Sequence, residues 1–175
     1  MAAQRVLVAY GTKNGSTAEI AEWIGEELRE QHIEVDVRPA ADVHGLGLGP
    51  YDAVVLGAGL YAGRWQRDAV RFARRHRQAL TRCPVWLFSS GPLDPSATER
   101  DLPAAPSVAR IVTRLDARGH ATFGGRLAEG AQGFVARQIL KQGKGDDFRD
   151  CEQIRTWAHG IAARLVGTTE QGLPQ

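Results

Sequence analysis

The stretch that decides the reading is Val6-Leu7-Val8-Ala9-Tyr10-Gly11-Thr12-Lys13-Asn14-Gly15-Ser16-Thr17, an apolar run that passes directly into small polar residues. An unbroken run with β-branched residues predicts a parallel strand buried on both faces. The next segment, about Ser16 to Gln31, carries Ala21, Ile24 and Leu28 on one face and predicts a helix. A helix entered this way aims its free N–H groups and positive dipole end at the turn, where an anion gains about 0.3–2 kcal/mol. Thr12, Asn14, Ser16 and Thr17 bring hydroxyl and amide groups to the same point, and Gly15 permits close backbone approach. Residues Thr12 to Thr17 therefore read as a phosphate cradle, against the plainer reading of an ordinary capped turn. Lys13 is optional in it, because a neutral nest of donors holds a dianion by hydrogen bonds.

Two other phosphate loops also follow a first strand, and neither fits. A nucleoside-triphosphate loop needs a Gly-Lys-Ser/Thr ending, and a dinucleotide fingerprint needs three glycines where only Gly11 and Gly15 stand.

With 175 residues, 43% of them apolar and 24% charged, the chain suits one folded domain, expected over 1–166 with a frayed tail at 167–175. A net charge of +2 gives no argument for nucleic acid. Cys83 and Cys151 lack the spacing of a disulfide framework or a zinc site, which fits a reducing, cytoplasmic setting. A strand starting so close to Met1 leaves no room for a signal peptide. The longest apolar run, Ala53 to Ala62, is about half of a bilayer span, so any membrane contact is expected to be peripheral.

Further along, Ile33 to Val37 alternates as an edge strand, and Pro39 to Pro50 reads as an irregular connection. Asp52 to Gly57 predicts a central strand, Trp65 to Leu80 a helix, and Cys83 to Ser90 another strand. A loop over Leu93 to Ala105 precedes a helix over Pro106 to Arg118 and a last strand over His120 to Gly124. Phe134 to Lys141 predicts a short helix, Gly143 to Asp147 a turn, and Cys151 to Val166 the closing helix. Five strands alternating with helices predict a doubly wound α/β sheet, parallel, in the order 2-1-3-4-5 with helices on both faces. In such a sheet the ligand crevice lies beyond the carboxyl ends of the strands at the switch point between strands one and three. Three loops are expected to meet there: Tyr10 to Thr17, Gly57 to Trp65, and Ser89 to Leu93.

This pattern resembles the flavodoxin superfamily over nearly the whole chain, and within it the branch of menaquinone-dependent protoporphyrinogen IX dehydrogenases. The motifs that carry the resemblance are Thr12 to Thr17, Tyr51 to Gly63, Phe72 to His76, Phe123 to Leu127 and Gly145 to Asp150. The resemblance implies a flavin, FMN, with its phosphate on Thr12, Lys13, Asn14, Gly15, Ser16 and Thr17. Its ring is expected between Ala58, Gly59, Leu60, Tyr61, Ala62, Gly63 and Trp65 on one side and Ser89, Ser90, Gly91 and Pro92 on the other. The third loop has no aromatic residue, so Tyr61 or Trp65 is expected to stack on the flavin, adding about 0.5–1.5 kcal/mol. The backbone N–H groups of Gly59, Ser90 and Gly91 are expected at the ring's polar edge, and a turn of the Ala58-Gly59 peptide to favour one redox state. The deazaflavin F420 carries the same ribityl phosphate and stands as the alternative cofactor. The implied activity is an oxidoreductase moving electrons or hydride from a reduced substrate to a quinone-type or protein acceptor. A non-enzymatic electron carrier is the alternative. The flavin supplies the redox chemistry, so no catalytic side chain is required.

Arg64, Arg67, Arg71, Arg74, Arg75, Arg77 and Arg82 crowd the segment beside this site, opposed only by Asp68. They read either as a solvated helix face or as a rim attracting a carboxylate-bearing substrate, acidic phospholipid or an acidic cofactor tail. The histidines His32, His44, His76, His120 and His159 have no partners at ligand spacing, and no metal is expected. Asp146, Asp147 and Asp150 read as caps and charges for the closing helix, and Cys83 as a buried small hydrophobe.

Overall fold

In the computed structural model, which describes residues 3–44, 47–126 and 147–170, the decisive run forms strand β1 (Arg5–Gly11), with Val6 to Ala9 wholly buried. Alternation of side chains across the strand sends Val6 and Val8 to one layer of core and Leu7 and Ala9 to the other. Helix α1 (Ser16–Glu30) follows, then β2 (Glu34–Pro39) and a 3-10 turn at Ala40–Asp42. The connection expected to be irregular still contributes anchors, since Val43 and Leu48 are buried.

The centre of the sheet is β3 (Ala53–Tyr61), four residues longer at its end than the sequence pattern suggests. It turns back at once into the two-residue β4 (Arg64–Trp65), which pairs antiparallel with it, Leu60 opposite Trp65 and Tyr61 opposite Arg64. Ala62 and Gly63 make the turn with φ of 50° and 72°, the primed geometry that a tight hairpin demands. Trp65 thus belongs to a strand, correcting its assignment to the next helix. That helix is itself two: α2 (Arg67–Arg75), capped by the Gln66 side chain accepting from the Asp68 N–H, and α3 (Arg77–Leu80), separated at His76.

Strand β5 (Val85–Ser90) is followed by the short α4 (Ser96–Glu99) inside the segment expected to be pure loop, then α5 (Pro106–Leu115) and β6 (Gly119–Phe123). The closing helix α6 (Cys151–Glu170) runs past Val166, where the Thr168 hydroxyl donates to the Arg164 carbonyl at 2.8 Å. The predicted helix at Phe134 to Lys141 and most of the turn at Gly143 to Asp147 lie outside the described residues.

The strands of the main sheet are parallel in the order β2-β1-β3-β5-β6, with β4 attached to β3 as a sixth strand. Apart from β4 this is the expected doubly wound order. One face is covered by α1 and α6 through Ile20, Ile24, Leu28, Ile154, Ile161 and Leu165. The other is covered by α2, α3 and α5 through Ala69, Phe72, Leu80, Val108 and Leu115. Asp150 caps α6, its carboxylate accepting from the Gln153 N–H at 3.1 Å, whereas Asp147 pairs with Arg149. Among the described residues no helix is long and apolar enough to cross a membrane.

Candidate functional site

The turn between β1 and α1 sits where β1 gives way to β3, its neighbour in the sheet but not in sequence. Gly15 precedes the helix with φ of 85°, a left-handed conformation that glycine adopts without strain. A Cβ there would meet no atom within 4 Å, so the outer side of the turn is open. The Thr12 hydroxyl closes the turn from within by accepting the Gly15 N–H at 3.0 Å. No side chain caps α1, which leaves its first N–H groups directed out of the turn. Thr12, Asn14, Gly15 and Ser16 are half-buried, Lys13 is exposed, and Thr17 is buried at 1% exposure.

Tyr61 reaches this turn from the end of β3. Its phenol accepts the Lys13 N–H at 3.2 Å, and the Thr12 hydroxyl lies within hydrogen-bonding reach of the same oxygen. The Lys13 ammonium stands 4.8 Å from the centre of the tyrosine ring, so Lys13 covers the aromatic. The ring also lies over Gly59, where a Cβ would come within 3.0–3.2 Å of it. Burial pushes the Tyr61 phenol above its ordinary pKa and keeps it neutral.

The other expected loop residues divide. Gly59 and Tyr61 share one face of β3, while Ala58 and Leu60 face the α2 and α5 layer. Ala62 and Gly63 are exposed at the hairpin tip. Trp65, at 4% exposure, donates its indole N–H to the Ser89 hydroxyl at 2.8 Å, so it is bound into packing and does not present a face for stacking. Ser89 is wholly buried and also meets the His120 Nε2 at 3.0 Å. Burial holds the His120 imidazole down to about 4, leaving it neutral. The Ser89 hydroxyl thus links the Trp65 indole to the His120 ring. Ser90 is buried at 3%. The Gly91 N–H, expected at a ligand edge, instead bonds the Phe123 carbonyl at 3.1 Å, and the Pro92 carbonyl accepts the Gly125 N–H at 2.9 Å. The third loop is therefore tied to the end of β6. Gly91 packs on Leu60, where a Cβ would come within 2.8 Å.

A cluster at the first turn of α1 has no counterpart in the sequence pattern. Arg149, with 3% side-chain exposure, reaches the Ser16 carbonyl at 3.4 Å, pairs with Asp147 at 2.8 Å and bonds the Glu19 carboxylate. It also lies 4.8 Å over the Trp23 ring. Arg126 pairs with Glu19 at 3.3 Å. Glu19 alone would oppose an anion at the turn; the two guanidinium groups neutralise it. The hydrogen bonds to Asp147 hold Arg149 above its ordinary pKa, those to Glu19 adding to the effect despite burial. The recognisable signal is the stretch around Arg149, which carries no hint of its distant partner.

The sheet order and the helices on both faces define a flavodoxin-like doubly wound protein. The Flavodoxin domain family matches residues 7–145, and the chain belongs to that family. It is 29% identical over 172 residues to the protoporphyrinogen IX dehydrogenase [quinone] of Escherichia coli K12, covering 90% of this chain and 94% of that protein. Among solved structures, a flavodoxin from the domain Archaea superposes with a TM-score of 0.62 at 14% identity, covering 92% of this chain and 98% of that one. The rubredoxin oxygen:oxidoreductase of Desulfovibrio gigas also superposes with a TM-score of 0.62 at 14% identity over 93% of this chain. This chain spans 36% of the length of that larger protein.

Proposed function

We propose that the chain is an FMN-dependent oxidoreductase of the protoporphyrinogen dehydrogenase kind, passing reducing equivalents from a reduced organic donor to a quinone-type acceptor. The observation that carries this reading is the turn at Thr12 to Thr17: open on its outer side, uncapped at the helix, and placed at the switch point of the sheet. The similarity to the Escherichia coli dehydrogenase along nearly the full length of both chains supports the activity.

The residues fit the phosphate end of FMN. Thr12, Asn14, Ser16 and Thr17 offer hydroxyl and amide groups, the uncapped first turn of α1 offers N–H groups, and the α1 dipole favours the negative charge. Arg126 and Arg149 cancel the Glu19 charge beside it. Tyr61 is the aromatic that the structure brings to the cradle, and Trp65 is not. FMN, when bound, supplies the exchange of electrons between donor and acceptor. The chain's part is to grip the phosphate, to lay the Tyr61 ring along the cofactor and to keep the neighbouring loops rigid through the Gly91 and Pro92 bonds to β6.

The test is reconstitution with FMN, riboflavin and F420, followed by anaerobic assay with protoporphyrinogen IX and a menaquinone analogue. FMN binding much tighter than riboflavin, with turnover, supports the reading. Tight FMN binding without turnover transfers the chain to the electron carriers. Equal affinity for FMN and riboflavin overturns the assignment of Thr12 to Thr17 as a phosphate site.

A further inference from the structure

Between α2 and α5 lies a groove of about 460 Å³ walled by Arg64, Arg67, Arg71, Arg74, Arg110 and Arg114. Trp65, Val70 and Ile111 form its apolar lining. All six arginines are exposed, and only Arg71 has a carboxylate near it, Asp68 at 3.7 Å. Among the described residues none of the other five stands within 4.0 Å of an acidic group. A merely solvated helix face does not account for this. Arg110 and Arg114 come from a different helix than the α2 arginines, so two banks of like charge line one groove with Asp68 as their one counter-charge among the described residues. Guanidinium forks in such a setting match carboxylates bidentately.

We propose that this groove docks an extended, glutamate- or aspartate-rich segment of a partner protein. Arg67 to Arg74 spans about 10 Å at ~1.5 Å per helical residue, the reach of about three extended residues at ~3.3 Å each. Successive side chains of an extended segment point to opposite sides, so its carboxylates meet the α2 bank and the α5 bank in turn. A flat bilayer reaches the rims but not the lining, and a small inorganic anion leaves Val70 and Ile111 wet. Glutamate methylenes cover those residues while their carboxylates pair. The groove ends at the β4 hairpin, whose other arm carries Tyr61 at the phosphate turn, so a docked partner lies against the element that reaches the candidate redox site. The docking itself is independent of the cofactor reading and is tested on the chain without cofactor.

The experiment is fluorescence anisotropy with a fluorescein-labelled hexaglutamate peptide and its glutamine counterpart. The charge reversal Arg67→Glu with Arg114→Glu is compared with Arg77→Glu with Arg82→Glu, which lie outside the groove. The glutamate peptide is expected to bind, the glutamine peptide not, and the groove reversal to weaken binding by about tenfold or more while the outer reversal changes it less than about twofold. If the groove reversal fails to fold by circular dichroism, Arg71→Gln with Arg110→Gln takes its place and is expected to weaken the peptide in the same direction. Equal losses for the groove and outer pairs would reduce the effect to diffuse attraction and overturn the proposal. So would pyrophosphate binding at the groove more tightly than the peptide, or binding to phosphatidylserine vesicles that the groove reversal abolishes while peptide binding survives.

Discussion

The Tyr61 phenol accepts the Lys13 backbone N–H across 3.2 Å, joining the end of the central strand to the turn between β1 and α1. That bond occupies one of the donors an anion at the turn would use. Tyr61→Phe keeps the ring over Gly59 and frees the donor, so FMN affinity is expected to hold or to rise by as much as about tenfold, the worth of one hydrogen bond. Tyr61→Ala removes the ring as well and is expected to weaken FMN and riboflavin together. Titration by quenching of flavin fluorescence separates the two variants. A weaker FMN complex for Tyr61→Phe would show that the hydroxyl holds the cofactor and does not compete with it.

Two glycines are required for different reasons, and alanine distinguishes them. Gly15 has φ of 85° and open space beyond its Cα, so Gly15→Ala is expected to cost about 1–2 kcal/mol of backbone strain and to loosen phosphate binding. At Gly57 a Cβ would fall 2.1 Å from the Phe88 ring, and Gly57→Ala is expected to cost about 1–3 kcal/mol or more by overpacking. Chemical denaturation gives both losses. A fully wild-type FMN affinity in Gly15→Ala would count against the shape assigned to the turn.

What the sequence disclosed follows from which interactions are periodic or local. β1, β3 and β5 are legible because each is buried on both faces and reads as an unbroken apolar run, and α1 and α6 because a stripe of apolar residues repeats at helical spacing. The turn between β1 and α1 is legible for the same reason, since all its residues are neighbours in sequence. The β4 hairpin is not, because a two-residue strand has no period and its turn places Ala62, a residue that rarely adopts positive φ, at 50°. Losing that hairpin misplaced Trp65, whose role depends on Ser89, 24 residues away. Arg149 and Glu19 lie 130 residues apart, and no local pattern signals their pairing.

Arg149 joins the segment before α6 to the first turn of α1, and its near-complete burial makes it sensitive to truncation. Glu19 and Asp147 are 46% and 43% exposed, so water takes over part of what Arg149→Ala removes. The expected loss is about 1.5–3 kcal/mol, the range for hydrogen bonds to charged groups. Arg149→Lys keeps the charge but not the fork, and is expected to fall between. Because the freed Glu19 charge then faces the cradle, FMN binding should weaken in Arg149→Ala and recover in part when Glu19→Gln is added. An additive outcome in that double-mutant cycle would deny any coupling between the cluster and the cradle.

His120 gives the stability of the fold a pH dependence whose sign follows from its burial. In the unfolded chain the imidazole takes up its proton near the ordinary value of 6.5, whereas in the folded protein burial delays uptake to about 4. Between those values the unfolded state holds more protons, so stability falls as the pH is lowered through this window. The limit for one proton is about 1.4 kcal/mol per pH unit, reduced by solvent reaching a ring that is only partly covered. His76, lowered by burial and by the nearby Arg75, adds to the loss with the same sign, which makes the difference between wild type and variant the informative quantity. In His120→Gln the amide can still meet the Ser89 hydroxyl but takes up no proton, so the variant should lose less stability than the wild type between pH 6.5 and about 4. Denaturant unfolding followed by tryptophan fluorescence across that range reads the slope. Identical slopes for the two proteins would mean that His120 is protonated in the folded state, and that the Trp65–Ser89–His120 chain does not depend on a neutral ring.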